Sequence, residues 1–338
     1  MERPKRISIK DIANHVGVST ALVSYILNGL EKEKRVNPEL VTKVREAVAL
    51  FNYTPNHFAR SLRTGSTMTI GLIVADIANP FFSNLSRFIE DEAFKQGYTV
   101  IIGSSNEEYS ITESLIKAFT ERQVDGFIIV PTEKSENLIQ KLVLNNIPFV
   151  LLDRYFPKLD TNYVVLDNFN ASYNGVKHLV SNSHTKIGMV AYKSSMEHMK
   201  DRIKGYLSAM KDSDLDEYVH VEEIRYNHLK EDVAKCIELF TGNENKYDAL
   251  IVATNSIAVA SLYELNEKKV QIPDDLALVC FDSSEAFDFF YSPITYIKQP
   301  LEEMGRNAVN MLITKIKTNA ENIHMEIKHD LVIRESSR

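Results

Sequence analysis

The first fifty residues step in threes and fours. In DIANHVGVSTALVSYILNG (residues 11–29), Ile12 and Val16 lie four apart, Gly17 interrupts, and Val23, Ile26 and Leu27 resume the helical step. This predicts two short helices joined by a tight turn. Ser19 is placed to cap the second helix, leaving Thr20, Ala21, Ser24, Tyr25 and Asn28 on the face opposite its core residues. A third helix opens at NPEL, with Asn37 as cap and Pro38 at the first helical position, and turns Val41, Val44, Val48 and Phe51 inward. The stretch YTPNHFARSLRTGS then starts a helix at Thr54-Pro55-Asn56, with Phe58, Ala59 and Leu62 as its apolar edge. So short a helix is marginal on its own in water, and it is expected to form conditionally.

From Thr67 the period changes. The runs TIGLIVA, TVIIGSS, GFIIVP and FVLLD alternate with helical stretches beginning near Phe81, Ser110 and Ser135. After YVVLDN a second set follows, with KIGMVAY, ALIVAT and LALVCFD. Such alternation is the pattern of parallel βαβ units, and its repetition predicts two doubly wound lobes. The fold class is therefore α/β: a small all-α helix-turn-helix head followed by two parallel α/β lobes. Neither lobe contains GxGxxG, GxxxxGK(S/T) or GxSxG, so the fingerprints of nucleotide binding and α/β-hydrolase chemistry are absent. Ligands of open parallel sheets bind beyond the carboxyl ends of the strands. Those ends carry Asp76, Asp153, Arg154, Thr254, Asn255 and Asp282. One such Asp is an ordinary cap or loop residue, but several at corresponding ends of two lobes predict convergence on one interlobe crevice.

Composition narrows the class. The 338 residues are 44% hydrophobic and 25% charged, the balance of a globular protein. No run reaches the roughly 18 apolar residues of a membrane helix, and no apolar segment backs the basic start MERPKRISIKD. A cytoplasmic protein without membrane contact is expected. Cys236 and Cys280 have no CxxC or Cys/His spacing and the nine histidines no ligand or triad spacing, so no disulfide, metal or cofactor is expected. Charge is uneven: residues 1–66 hold 11 Lys+Arg and 6 Asp+Glu, a net of +5, while the remainder carries −12 of the total of −7. A basic head is drawn to phosphate while an acidic body resists nonspecific adhesion. The outward face of the second helix suits a recognition helix entering a major groove, ahead of the alternative of a helical hairpin with a solvated side. In the loop GLEKEKRV, Lys32, Lys34 and Arg35 read either as solvated charge or as phosphate contacts.

Residues 8–66, through SIKDIANHVGVSTALVSYILNG and NYTPNHFARSLRTG, resemble the lac/galactose repressor family of bacterial transcription regulators. The likeness continues through TIGLIVADIANPFF to the last residues. It implies a DNA-binding head at 1–53, a hinge helix and linker at 54–66, and an effector-binding and dimerisation domain at 67–338. The lobes of that domain would be about 67–165 plus 297–328 and about 166–296 plus 329–338, similar to periplasmic sugar-binding proteins. Base contacts are implied for Thr20, Ala21 and Tyr25, with Ser19, Ser24 and Asn28 on the same DNA-facing helix. The hinge helix would offer Asn56, Ala59, Arg60 and Arg63 to the minor groove and wedge Leu62 between base pairs, where unstacking costs roughly a few kcal/mol that wider contact offsets. Tyr25 stands where many relatives carry arginine, which removes a bidentate guanine contact, and GLEKEKRV is a few residues longer than usual. A homodimer on a pseudopalindromic operator is implied. No leucine heptads follow LVIRESSR, so a dimer is expected rather than a tetramer.

In the body, the resemblance implies that Asn79, Phe81 and Phe82 of NPFF flank a small effector and that Arg202 of DRIKGY grips its hydroxyls or carboxylate. Asp282 and Gln299 would face it, joined by Asp76, Asp153, Arg154 and Thr254. Ser283 replaces the second acid of the family's FDD, and TNS stands for its usual ND. Carboxylates and guanidinium groups around aromatic faces suit a neutral polyol. A sugar or sugar derivative is therefore expected ahead of a purine, a phosphosugar or a protein coregulator. Binding is expected to close the lobes and so to alter how two hinge helices seat on the operator, with a typical coupling of about 1–3 kcal/mol. A sugar-acting enzyme using Asp76 and Asp282 as acid and base competes with this reading but leaves the basic head unexplained. A transport binding protein would need an export signal. A repressor of carbohydrate-utilisation genes, not an enzyme, is the expectation.

Overall fold

The structure, a computed structural model, describes residues 7–53, 65–242, 246–318 and 320–338, and the chain divides into two compact units, Met1–Thr67 and Met68–Arg338. In the first, α1 (Ile9–Val16), α2 (Thr20–Leu27) and α3 (Pro38–Leu50) enclose a core of Ile12, Ala13, Val23, Ile26, Val44 and Ala47. Ser8 and Asp11 form a capping box, with Asp11 Oδ2 accepting from the Ser8 amide at 2.8 Å. Gly17 stops α1 at φ +77°, a left-handed turn that a side chain would strain. Ser19 caps α2, its hydroxyl accepting from the Leu22 amide at 3.2 Å, and Asn37 caps α3 ahead of Pro38. Of the four α3 residues expected inside, Val44 is fully buried, while Val41, Val48 and Phe51 are half-buried around it. So small a unit has more rim than centre. The conditional helix, with Asn56, Ala59, Arg60, Leu62 and Arg63, lies outside the described residues.

The second unit runs β1 (Thr69–Val74), α4 (Pro80–Lys95), β2 (Thr99–Ser104), α5 (Tyr109–Glu121), β3 (Gly126–Ile129), α6 (Glu136–Leu144), β4 (Phe149–Leu152) and β5 (Tyr163–Leu166) through lobe 1. Lobe 2 follows with α7 (Asn168–Ser181), β6 (Ile187–Tyr192), α8 (Glu197–Lys211), β7 (His220–Ile224), α9 (Leu229–Thr241), β8 (Ala249–Val252), α10 (Asn255–Glu267), β9 (Ala277–Phe281), α11 (Glu285–Phe289) and β10 (Thr295–Lys298). The chain then returns to lobe 1 for α12 (Leu301–Lys317) and β11 (His324–Ile327), and ends in lobe 2 with β12 (Asp330–Val332).

The sheets have matching orders, β11-β5-β4-β3-β1-β2 and β12-β10-β9-β8-β6-β7. Neighbours pair in parallel except β10 with β12. Strand order reverses beside β1 and β6, as in other doubly wound sheets. β3, β4, β8 and β9 are buried along their whole length because helices cover both faces, which is why they read as unbroken apolar runs.

The chain crosses between lobes at Asp167, at Gln299-Pro300 and at Lys328-His329. β10 keeps lobe 2 pairing through Lys298, which lies opposite Asp330 of β12, so the return to lobe 1 comes slightly after the position near 297 that the resemblance implies. α12 then buries Met304, Ala308, Val309 and Leu312 in the lobe 1 core beside Leu85 and Ile89 of α4. Among the described residues, no helix is long and apolar enough to cross a membrane, and no group of three His, Cys, Asp or Glu side chains is arranged to hold a metal ion.

Candidate functional site

Two places carry the residues singled out by sequence. On α2, Thr20, Ala21, Tyr25 and Asn28 are exposed and Ser24 is half-buried. Ser19 spends its hydroxyl on the cap, and Asn28 Nδ2 donates to the Ser24 carbonyl at 2.6 Å and to Ser24 Oγ at 3.2 Å, tying down that end of the helix. Among the described residues, the outward face left free of local side-chain bonds is thus Thr20, Ala21 and Tyr25. The longer loop folds beside it: Lys34 Nζ lies 5.9 Å from the Tyr25 ring centroid, and Glu31 accepts from Arg45 of α3 at 2.7 Å.

In the second unit, Asp76, Asn79, Phe81, Phe82, Asp153, Arg154, Arg202, Thr254, Asp282 and Gln299 line one cleft at the carboxyl ends of both sheets, about 1050 Å³ with its open mouth included. Local chemistry explains their placement. Asp153 follows β4 and Asp282 follows β9, strands at equivalent positions in the two sheets, and each turns at positive φ, +65° and +68°. Aspartate adopts this left-handed conformation more readily than most residues. Asn79 caps α4, accepting from the Phe81 amide at 3.0 Å. That cap sets Phe81 and Phe82 edge to face, 4.9 Å between centroids, at the junction of the cleft and the lobe 1 core. Thr254 caps α10 at the cleft edge.

The floor is a buried polar set. Arg202 donates from Nε to Asn168 Oδ1 at 2.8 Å and from Nη1 to the Ala253 carbonyl at 2.6 Å, and its guanidinium lies 4.2 Å from the Phe281 ring centroid. Asp282 accepts from Gln299 Nε2 at 2.7 Å and from the Asn255 amide at 3.3 Å. Burial raises the Asp282 pKa against the opposing pull of Arg202 and Gln299. Arg154 donates both terminal nitrogens to Glu107 at 2.7 Å each. Burial disfavours its charge, yet Glu107 and then Asp153 outweigh that, and its pKa is raised. Burial pushes Asp153 up to about 6, against Arg154 and Arg202 and with the help of Asp282 and Glu107.

At the rim, hydrogen bonds join the lobes. Tyr226 donates to Asp76 at 3.0 Å and Asn79 to Ser256 at 3.4 Å, while Glu133 accepts from Ser194 Oγ at 2.8 Å and the Ser195 amide at 2.6 Å. Residues that the sequence reading passed over also line the cleft, among them Glu107, Glu133, Tyr192, His198 and Tyr226. His198 had a signal, lying four positions before Arg202 on the same helix. Glu107 had none, since it sits in a turn after β2 at φ +59°. Among the described residues, His198 Nδ1 and Gln299 Oε1 are buried without hydrogen-bond partners. Such groups are costly to leave unmet, and a ligand's hydrogen-bond donors would satisfy them.

Comparison with known proteins follows the same division. Residues 8–56 match the bacterial regulatory proteins of the lacI family, and residues 176–337 match a periplasmic binding protein-like domain. The HTH-type transcriptional repressor PurR of Vibrio campbellii is 30% identical over 331 residues, covering 97% of both chains. The lac repressor dimer bound to operator and the anti-inducer ONPF aligns with a TM-score of 0.86 and 21% identity, over 98% of this chain and 99% of that one. A LacI family transcriptional regulator from Enterococcus faecium with bound ribose gives a TM-score of 0.71 and 27% identity, over 79% and 98% of the two chains.

Proposed function

This chain belongs to the lacI family of bacterial regulatory proteins and is a DNA-binding transcriptional repressor, not an enzyme; from that premise we propose that it controls carbohydrate-utilisation genes through a sugar held in the interlobe cleft. One observation carries the sugar reading. The cleft floor alternates fixed donors and acceptors, Arg202 beside Asp282 with Gln299 between the lobes, against the ring edges of Phe81 and Phe82. A polyol needs both kinds of partner and an apolar face to lie on. The ribose-bound relative at 27% identity supports the same class.

In this reading Thr20, Ala21 and Tyr25 meet base edges in the major groove, and residues 54–66 meet the minor groove with Leu62 as wedge. Two copies bind a pseudopalindromic operator as a homodimer. Closure about the three crossings changes how the pair presents residues 54–66 to the duplex. A purine is the second reading, favoured by Tyr192 and Tyr226, whose rings lie 5.4 Å apart at the cleft and offer faces for a planar base.

A thermal-shift screen of sugars and nucleobases, followed by operator titration with and without the hit, tests both readings. A sugar is expected to raise the melting temperature and to change operator affinity roughly 5- to 150-fold. A hit confined to nucleobases would replace the sugar, and a hit that leaves operator affinity unchanged would remove the coupling.

A further inference from the structure

We propose that the effector carries a basic nitrogen, and that the ammonium of an amino sugar docks at the cleft floor between Asp153 and His198. This rests on the sugar reading and narrows it.

The carboxylates of the floor are not equally served. Glu107 takes two bonds from Arg154, and Asp282 takes bonds from Gln299 and Asn255. Asp153, only 5% exposed, accepts no hydrogen bond among the described residues. Its nearest cation is Arg154 Nε at 3.5 Å, too long for a good hydrogen bond, and that guanidinium has committed its terminal nitrogens to Glu107. His198, which lines the same two cavities, lies in the first turn of α8, is 8% exposed, and has Nδ1 buried without a partner among the described residues. Burial, with Arg154 and Arg202 nearby, holds this imidazole well below its ordinary pKa, so it is neutral at pH 7 and has a lone pair to offer a donor.

The surrounding charge points the same way. Six carboxylates line the cleft against three cations, Arg154, Lys193 and Arg202. Asp153 and His198 also wall a second cavity of about 580 Å³, mouth included, in which Asp167, Asp201 and Glu326 appear and no Lys or Arg does. Both cavities that Asp153 lines thus hold more carboxylates than cations, with Arg154 and Arg202 the cations that act on His198. A ligand hydroxyl would give Asp153 a hydrogen bond alone, whereas an ammonium adds a positive charge in direct contact, in a charge-assisted bond about twice as strong as a neutral one. A phosphate or carboxylate would add repulsion.

The test uses the full-length protein and isothermal titration at pH 7.5 with matched sets: glucose, galactose, mannose and ribose, which keep the shape and lack the charge, their 2-amino and terminal-amino forms, and the N-acetylated amines, which keep the nitrogen and lose the charge. At least one amino sugar is expected to bind tenfold or more tightly than both its hydroxyl parent and its N-acetyl form. Asp153→Asn should abolish that preference, and His198→Gln should reduce it, with thermal melts showing that each variant is folded. If neutral sugars bind as tightly as every amino counterpart, or if Asp153→Asn keeps the preference, the ammonium site is wrong while the sugar reading stands. If no sugar of either kind binds, both fall.

Discussion

Asp153 and Asp282 occupy matching strand ends, both in left-handed backbone and both buried, so each lobe spends stability at one residue to equip the cleft. For Asp153 the cost has a pH signature. Its pKa rises from 3.8 to about 6, first through burial, so the folded chain holds the proton over a range where the unfolded chain has lost it. Stability contributed by this group is present near pH 4, declines up to about pH 6 and stays lower above. Asp153→Asn, which suits the same backbone, should therefore stabilise the ligand-free protein at pH 7.5 by about 1–3 kcal/mol, a gain that shrinks towards pH 4. Urea denaturation at pH 7.5 and 4.5 checks this, and an equal gain at both would exclude ionisation as its cause. Tyr25 carries a prediction of its own. Its ring is exposed beside Lys34, so substituting it should relax preference at one base pair per half-site in a selection on random DNA. Recovery of an unchanged motif would remove it from readout. These residues were legible because a polar side chain ending an apolar run, or facing away from a helix core, stands out against its neighbours. Glu107 and Tyr226 were not, because each lies in a turn whose direction depends on packing far along the chain.

Among elements, the α7–α8 pair is the one on which Arg202 depends. Gly205 lies one turn beyond Arg202, and a methyl group there would collide with the Phe169 carbonyl of α7. The helices approach closely enough at that point for Arg202 to reach Asn168, the first residue of α7. Gly205→Ala should cost about 1–3 kcal/mol of stability through overpacking and weaken effector binding by shifting Arg202. Lys204→Ala, on the exposed side of the same helix, should stay within about 0.5 kcal/mol. Chemical denaturation of the two variants decides it. The central strands were readable because burial on both faces demands continuous apolar sequence. β7, with the sequence HVEEI, was not, since an edge strand with half-exposed residues needs no such run. β11 and β12, edge strands of three or four residues, escaped for the same reason, and β10, though internal, is only four residues long with alternating burial and so gives no continuous apolar run.

Across the whole molecule, two doubly wound lobes follow from the repeated βαβ pattern and the chain's exchange between them from the family resemblance, but the contacts between the lobes follow from neither. Tyr226 with Asp76, Asn79 with Ser256, and Glu133 with Ser194 and Ser195 unite residues 60 to 180 positions apart, and no local periodicity encodes such pairings. Removing two of the bonds by Tyr226→Phe with Ser256→Ala should speed effector dissociation several-fold with less change in the association rate, measurable by stopped-flow competition. Equal rates in the variant and the parent would show that the rim does not gate exchange.

A rim whose bonds had to part before the effector left would give the regulator a clock. Occupancy would decay at the speed of lobe breathing, not of diffusion, so a brief dip in supply would pass unregistered and only a sustained change would reach the promoter.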